Sequence, residues 1–256
     1  MSWERQIHIK SPVELEIMRE AGRINATVLA TVKELLQPGV STAELNAAAE
    51  EVLRKHGCIS PFKGYGHPPF PASITVSINR ELVHGIPSKK RKLKAGDIVS
   101  VDCGTVYDGF VGDSAFTAGV GEISSDAQNL LNVTEGALGA AIEQMRPGNH
   151  TGDVSAAVQQ FVESRGFYVT REYTGHGVGH EMHEGPQVPN YGVPGRGLLL
   201  RPGMTIAIEP MVLVGTSATR VLSDQWTVVS ADGSLTAHFE HSIAVTEGDP
   251  LVLTVL

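Results

Sequence analysis

The second half of this chain repeats the plan of the first, and that repetition narrows the possible folds more than any other feature. Pro38, Gly39, Thr42, Ala47, Ala48 and Gly57 fall on Pro147, Gly148, Thr151, Ala156, Ala157 and Gly166 without a gap, 109 positions on. Further along, the run Leu93 to Asp102 (LKAGDIVSVD) lies over the run Leu200 to Glu209 (LRPGMTIAIE) at an offset of 107. Two segments in the same order at nearly the same offset make coincidence a poor account. Two copies also fall short of the three stacked units that a solenoid needs. The expectation is two related α/β halves, about 11–120 and 124–248, packed as a single domain over 1–256.

Local signals fill in the elements. Ser11-Pro12-Val13-Glu14 supplies a capping serine, a proline at the first helical position and a reciprocal glutamate. Val13, Ile17, Ala21, Ile24, Val28, Val32 and Leu35 then recur at helical spacing until Pro38-Gly39. A second helix opens at Ser41 with Glu44 three residues on, turns Leu45, Ala48, Ala49, Val52 and Leu53 inward, and ends at Gly57. Residues 74–78 and 98–101 read as strands, 107–117 as a strand region holding Asp108 and Asp113, and 124–145 as a helix. His84 lies at a turn between the first two of these strands.

Chemistry concentrates in residues 175–185 (GHGVGHEMHEG), which carry three histidines, two glutamates and almost nothing large enough for a core. His176 and His180 would share a metal on one face of a helix, but three glycines, each costing about 1 kcal/mol there, argue against one. The zinc-protease pattern H-E-x-x-H also fails, because Glu184 stands where the second histidine belongs. The reading is a glycine-rich loop or strand end whose backbone comes close to something and aims imidazoles at it.

The overlay of the halves places Asp102 on Glu209, each ending an apolar strand. Asp113 and Glu240 add one further acid per half inside strand-like runs. A carboxylate embedded in core is costly unless paired or metal-bound, and four of them converging with His176 balance two divalent cations. Oxygen donors with one imidazole suit Mn, Fe(II), Co or Zn. Asp108, beside Gly109, reads as a turn.

Composition excludes other classes. A net charge of −8 argues against general nucleic-acid binding, and the basic run 89–94 reads as a solvated loop. No segment approaches the roughly 20 apolar residues of a membrane span. Two cysteines make no disulfide framework, and the polar first ten residues lack a signal-peptide centre, so the cytoplasm is expected.

Together His84-Gly-Ile-Pro, Val101-Asp102, Gly112-Asp113, Gly175-His176-Gly, His183-Glu184, Ile208-Glu209-Pro210 and Phe239-Glu240-His241 give the chain a family likeness. It resembles the methionine aminopeptidases of the short bacterial type, members of the pita-bread fold, from about residue 11 to residue 248. The resemblance implies an antiparallel sheet core with helices outside and a dinuclear site. Asp102 would chelate one metal, His176 and Glu209 the other, with Asp113 and Glu240 bridging. Glu209 would pass on the proton of a water between the metals, His183 would bind the carbonyl oxygen, and His84 would face the scissile nitrogen. Phe62, Tyr65, Thr75, Met182 and Trp226 would line the methionine pocket. The implied substrates are N-terminal methionine peptides and nascent chains with small second residues, hence contact with the ribosome, and the implied state is a monomer.

Proline-specific aminopeptidases or dipeptidases of the same fold are the rival enzymes, but they carry an amino-terminal domain of more than a hundred residues. A catalytically silent binding module is the rival of another class, and it should have lost ligands that are all present here. The chain's own start, Met1-Ser2-Trp3, offers a small second residue on a polar segment. The protein made in its own cells is therefore expected to begin at Ser2, which intact-mass spectrometry reads directly; retention of nearly all Met1 would contradict the small-residue rule.

Overall fold

The computed structural model describes residues 7–256; the Met1–Ser2 bond lies outside the described residues. Among the described residues four helices, α1 (Pro12–Glu34), α2 (Thr42–Lys55), α3 (Ser125–Ile142) and α4 (Thr151–Glu163), flank the strands. The strands of the first part are β1 (Thr75–Ile78), β2 (Glu81–Val83), β3 (Ile98–Tyr107) and β4 (Phe110–Gly119). After α4 come β5 (Tyr168–Val169), β6 (Thr174–Gly177), β7 (Glu184–Pro189), β8 (Thr205–Ile208) and β9 (Met211–Leu213). The rest are β10 (Thr219–Val221), β11 (Val228–Ser230), β12 (Thr236–His238), β13 (His241–Ala244) and β14 (Leu251–Val252). All the strand pairs are antiparallel, with orders β1-β3-β4, β10-β11-β2, β12-β9-β5 and β14-β13-β8-β6-β7.

The caps act as their residue types require. Ser11 with Glu14 and Ser41 with Glu44 each form a reciprocal capping box, worth about 1 kcal/mol apiece. Gly57 then takes the left-handed conformation that ends α2. The α1 periodicity is right in its centre and wrong at its ends: Ile24, Val28 and Val32 are buried, whereas Val13 and Leu35 are exposed. Residues 98–101 belong to a longer strand than expected, because Cys103 to Tyr107 continue the pairing with β4 as far as Phe110. Asp102 therefore lies within β3 rather than at its end, and the hairpin turns at Asp108-Gly109, both at positive φ.

Two cores result. One joins α1 and α2 to β1 and β3 through Ile24, Val28, Leu45, Leu53, Val76, Val99 and Val101. The other joins α3 and α4 to β8, β9, β12 and β13 through Leu130, Leu138, Val158, Ile206, Val212 and Ile243. Between them β4 meets the β12–β13 segment along a seam of hydrogen bonds. Thr117 Oγ1 donates to His238 O at 2.7 Å and accepts from its N–H at 2.9 Å. Ala115 and Glu240 exchange both main-chain bonds, at 3.2 and 2.9 Å. Ser242 Oγ donates to Asp113 O at 2.8 Å and accepts from its N–H at 3.0 Å.

Two buried polar side chains brace this arrangement from outside. Asn25 of α1 donates to Cys103 O and, at 2.7 Å, to Gly112 O, clamping both strands of the β3–β4 hairpin. Lys10 Nζ meets Glu184 Oε2 at 2.5 Å with both side chains almost fully buried, and Glu184 Oε1 accepts from the Glu181 N–H at 3.2 Å. That pair ties the approach to α1 to the loop carrying Met182 and His183. Removing one member leaves a buried charge uncompensated, so Lys10→Met should lower stability by about 3–5 kcal/mol. Urea unfolding measures this, and replacing both partners (Lys10→Met with Glu184→Leu) should recover much of the loss.

Candidate functional site

A cavity of about 260 Å³ opens at the seam. It is lined by every site residue that the family resemblance implied: Asp102, Asp113, His176, Glu209, Glu240, His84, His183, Phe62, Tyr65, Thr75, Met182 and Trp226. The strands explain the convergence. Asp102 pairs with Ala115 and Asp113 with Gly104, so the two aspartates lie diagonally on one face of the hairpin. The Ala115–Glu240 bridge sets Glu240 beside Asp113. Glu209 follows β8, whose neighbour β6 pairs His176 with Ala207.

The glycines beside His176 are there for close approach. A Cβ at Gly177 would stand 2.0 Å from Gly185 O, and one at Gly175 would stand 2.6 Å from Ala207 O. Only glycine lets β6 fit between β7 and β8 with His176 in the cavity. His180, the middle histidine of the run, is not in the cavity; it is exposed, near Phe110, with Glu14 at 3.7 Å.

Burial dominates the electrostatics. It pushes the Asp102, Glu209 and Glu240 carboxyls well above the usual range, and the neighbouring acids push them further. Asp113 is raised to about 7, again by burial. Among the described residues the basic groups within 4 Å of these acids are imidazoles: His176 Nε2 is 3.5 Å from Glu209 Oε1, and His238 Nε2 is 3.7 Å from Glu209 Oε2. Burial holds those rings neutral as well, lowering His176 and His238 to about 3 and His84 and His183 to about 4. None of them neutralises the acids.

The donor set fits divalent metal. Asp102 Oδ1 and Asp113 Oδ1 are buried without a hydrogen-bond partner. Ligand atoms of Asp113, His176 and Glu240 all lie within 4.8 Å of one another. His176 Nδ1 is 2.9 Å from Gly177 O; a carbonyl only accepts, so Nδ1 carries the proton and Nε2 presents a lone pair.

One wall is apolar, formed by Phe62, Phe70, Met182 and Trp226. Phe70 meets Trp226 edge-on at 5.2 Å, and the Trp226 indole donates to Pro68 O at 2.9 Å. The Tyr65 hydroxyl lies 2.7 Å from His183 Nδ1, and the His183 ring meets His176 edge-on at 4.4 Å. His84 sits at φ 61°, a strained conformation for a residue with a side chain, with Tyr173 and Trp226 against its ring. Phe70, Tyr173 and His238 also line the cavity and were not foreseen. For His238 the period of two along 238–240 is a usable signal, and for Phe70 the signal is an aromatic held between Pro69 and Pro71.

The profile of metallopeptidase family M24 matches residues 16–247. The methionine aminopeptidase of Clostridium acetobutylicum is 49% identical over 97% of this chain and 99% of its own length. Methionine aminopeptidase 1 of Bacillus subtilis is 51% identical over 96% and 98%. The crystal structure of methionine aminopeptidase from Thermotoga maritima superposes with a TM-score of 0.95 at 46% identity, covering 98% of this chain and 100% of that one. An Xaa-Pro dipeptidase from Bacillus anthracis superposes at 0.76 with 25% identity, covering 96% of this chain but 61% of its own.

Burial raises Asp113 to about 7 in the metal-free fold, and a cation held by its carboxylate would need it ionised. Zinc binding should therefore release protons, with affinity rising from pH 6 to 8. Calorimetry in buffers of different ionisation enthalpy reads both quantities, and an affinity that falls with pH would contradict this account.

Proposed function

Because the chain belongs to metallopeptidase family M24, we propose that its cavity is the active site of an aminopeptidase removing N-terminal methionine from peptides and nascent proteins. The observation that carries this reading is the meeting, in one cavity, of five side chains suited to metal, three further histidines and an apolar wall. Asp102, Asp113, His176, Glu209 and Glu240 would hold two divalent cations of the Co, Mn, Fe(II) or Zn class, which would supply Lewis acidity to the scissile carbonyl and acidify a water.

The chain's own groups do the rest. The Glu209 carboxylate takes the proton released as water adds to the carbonyl carbon and delivers it to the departing nitrogen. Water is consumed, the C–N bond breaks, and methionine and a shortened chain leave. With the Tyr65 hydroxyl donating to Nδ1, the His183 proton sits on Nε2, and that N–H donates a hydrogen bond to the carbonyl oxygen as charge grows there. His84 faces the scissile nitrogen. The methionine side chain lies among Phe62, Phe70, Met182 and Trp226, above Thr75. Its burial contributes about 2 kcal/mol, and its sulfur makes favourable contacts with the rings.

The reading extends to a cytoplasmic monomer, built as one catalytic domain from two related halves and acting on chains as they leave the ribosome. A proline-directed specificity is the weaker reading, since this chain matches 61% of the Xaa-Pro dipeptidase's length and nearly all of the methionine aminopeptidases'. Turnover of Met-Gly-X peptides, with X-Pro peptides left intact, is expected across a divalent-metal panel; the reverse preference overturns the assignment. His183→Ala should cut kcat about 10²–10³-fold while changing KM much less. A mutant with near-normal kcat and raised KM would make His183 a ground-state binding group instead.

A further inference from the structure

His238 is a buried polar side chain that the proposed reaction does not use. It closes β12 two residues before Glu240, so both side chains face the cavity. Its backbone is satisfied by Thr117 on both sides, with bonds of 2.7 and 2.9 Å. The ring is not: neither Nδ1 nor Nε2 has a hydrogen-bond partner, although only 2% of the residue is exposed. A buried imidazole with both nitrogens unpaired costs stability that a leucine of similar bulk would not. The seam is held at this point by the His238 main chain and the Thr117 hydroxyl, so the fold has no need of the ring.

Glu209 shows what the ring is for. Its two oxygens face different histidines: Oε1 lies 3.5 Å from His176 Nε2, and Oε2 lies 3.7 Å from His238 Nε2. A ligand shared with His176 must present Oε1 to the cation, which leaves Oε2 on the far side, towards His238. The Glu240 carboxylate is further off, at 3.9 Å. We propose that His238 is a positioning residue, its Nε2–H donating to Glu209 Oε2 so that Oε1 is held towards the cation beside His176. The gap of 3.7 Å closes to an ordinary hydrogen bond with a shift of less than about 1 Å. A carboxylate fixed in this way loses less freedom on binding metal, and outer partners of this kind typically contribute about 10–100-fold in metal affinity.

This proposal rests on the metal-site reading above, and the test separates the two. Zinc affinity is measured by competition with a chromophoric chelator, and thermal midpoints are taken with and without zinc. His238→Leu is expected to bind zinc about 10–100-fold more weakly while its metal-free midpoint stays level or rises. His238→Gln, whose amide can donate from the same place, should recover most of the affinity. Two results overturn the assignment: His238→Leu with the affinity of the unaltered protein, or His238→Gln as weak as His238→Leu. A metal-free midpoint that drops while the zinc-induced rise is unchanged makes the ring mere packing and also overturns it. Failure of the unaltered protein to take up zinc fells the metal site itself, and this proposal with it. Should His238→Leu not fold, nitrogen NMR of the unaltered, histidine-labelled protein decides. On zinc loading the His238 Nε2 proton should become hydrogen-bonded and slow to exchange, and an unchanged ring signal counts against the role.

Discussion

Four carboxyl groups crowded into a dry seam are the constraint on which the rest of this structure depends. Asp102, Asp113, Glu209 and Glu240 are each withdrawn from water and set against one another, so each resists ionisation. Side chains in that position repel and would spread apart if the backbone allowed it. The backbone does not allow it. Asp113 is held by the ten-residue ladder with β3 on one side and by Ser242 on the other, and Glu240 is locked to Ala115 through both of its main-chain groups. The metal-binding geometry is thus a property of strand register, set before any ligand arrives.

That rigidity has outer supports. Asn25 is the buried polar residue of a helix whose other inward positions are mostly apolar, and it bonds to carbonyls of both hairpin strands. Replacing it by an apolar residue would leave those carbonyls without their side-chain donor. The Lys10–Glu184 pair does the same for the run carrying Met182 and His183, in a space so tight that a Cβ at Gly179 would stand 2.4 Å from the lysine. A buried ion pair adds little net stability but makes alternative loop placements costly. Here it fixes one placement for the run that brings His183 into the cavity.

Much of this was legible in the sequence because its signals were local or repeated. Capping boxes at Ser11 and Ser41 are four-residue patterns, and the Asp102–Glu209 overlay needed only a shared run of apolar residues. Boundaries were less legible. Nothing local shows that β3 runs on through Cys103 to Tyr107, because that extension depends on pairing with β4. The partners of Asn25 and Lys10 were not legible at all: they lie up to 174 residues away, and no periodicity encodes so distant a contact. His238 fell between these cases. Its alternation with Glu240 was visible, but its burial beside Glu209 comes from the meeting of separate strands.

The division between hydrogen-bonded strands and connecting segments also explains how one fold can serve different substrates. The acids come from strands β3 and β4 and from the ends of β8 and β12. The apolar wall comes from the connecting segments around Phe62, Phe70, Met182 and Trp226, which form one buried cluster with Phe70 edge-on to Trp226. A change in those segments alters the shape offered to a side chain without moving a ligand strand, because the seam bonds lie elsewhere. The Xaa-Pro dipeptidase that superposes over 96% of this chain at 25% identity is in keeping with that separation. A scaffold so stiff where charge must be placed leaves specificity to its loops, where substitution is tolerated.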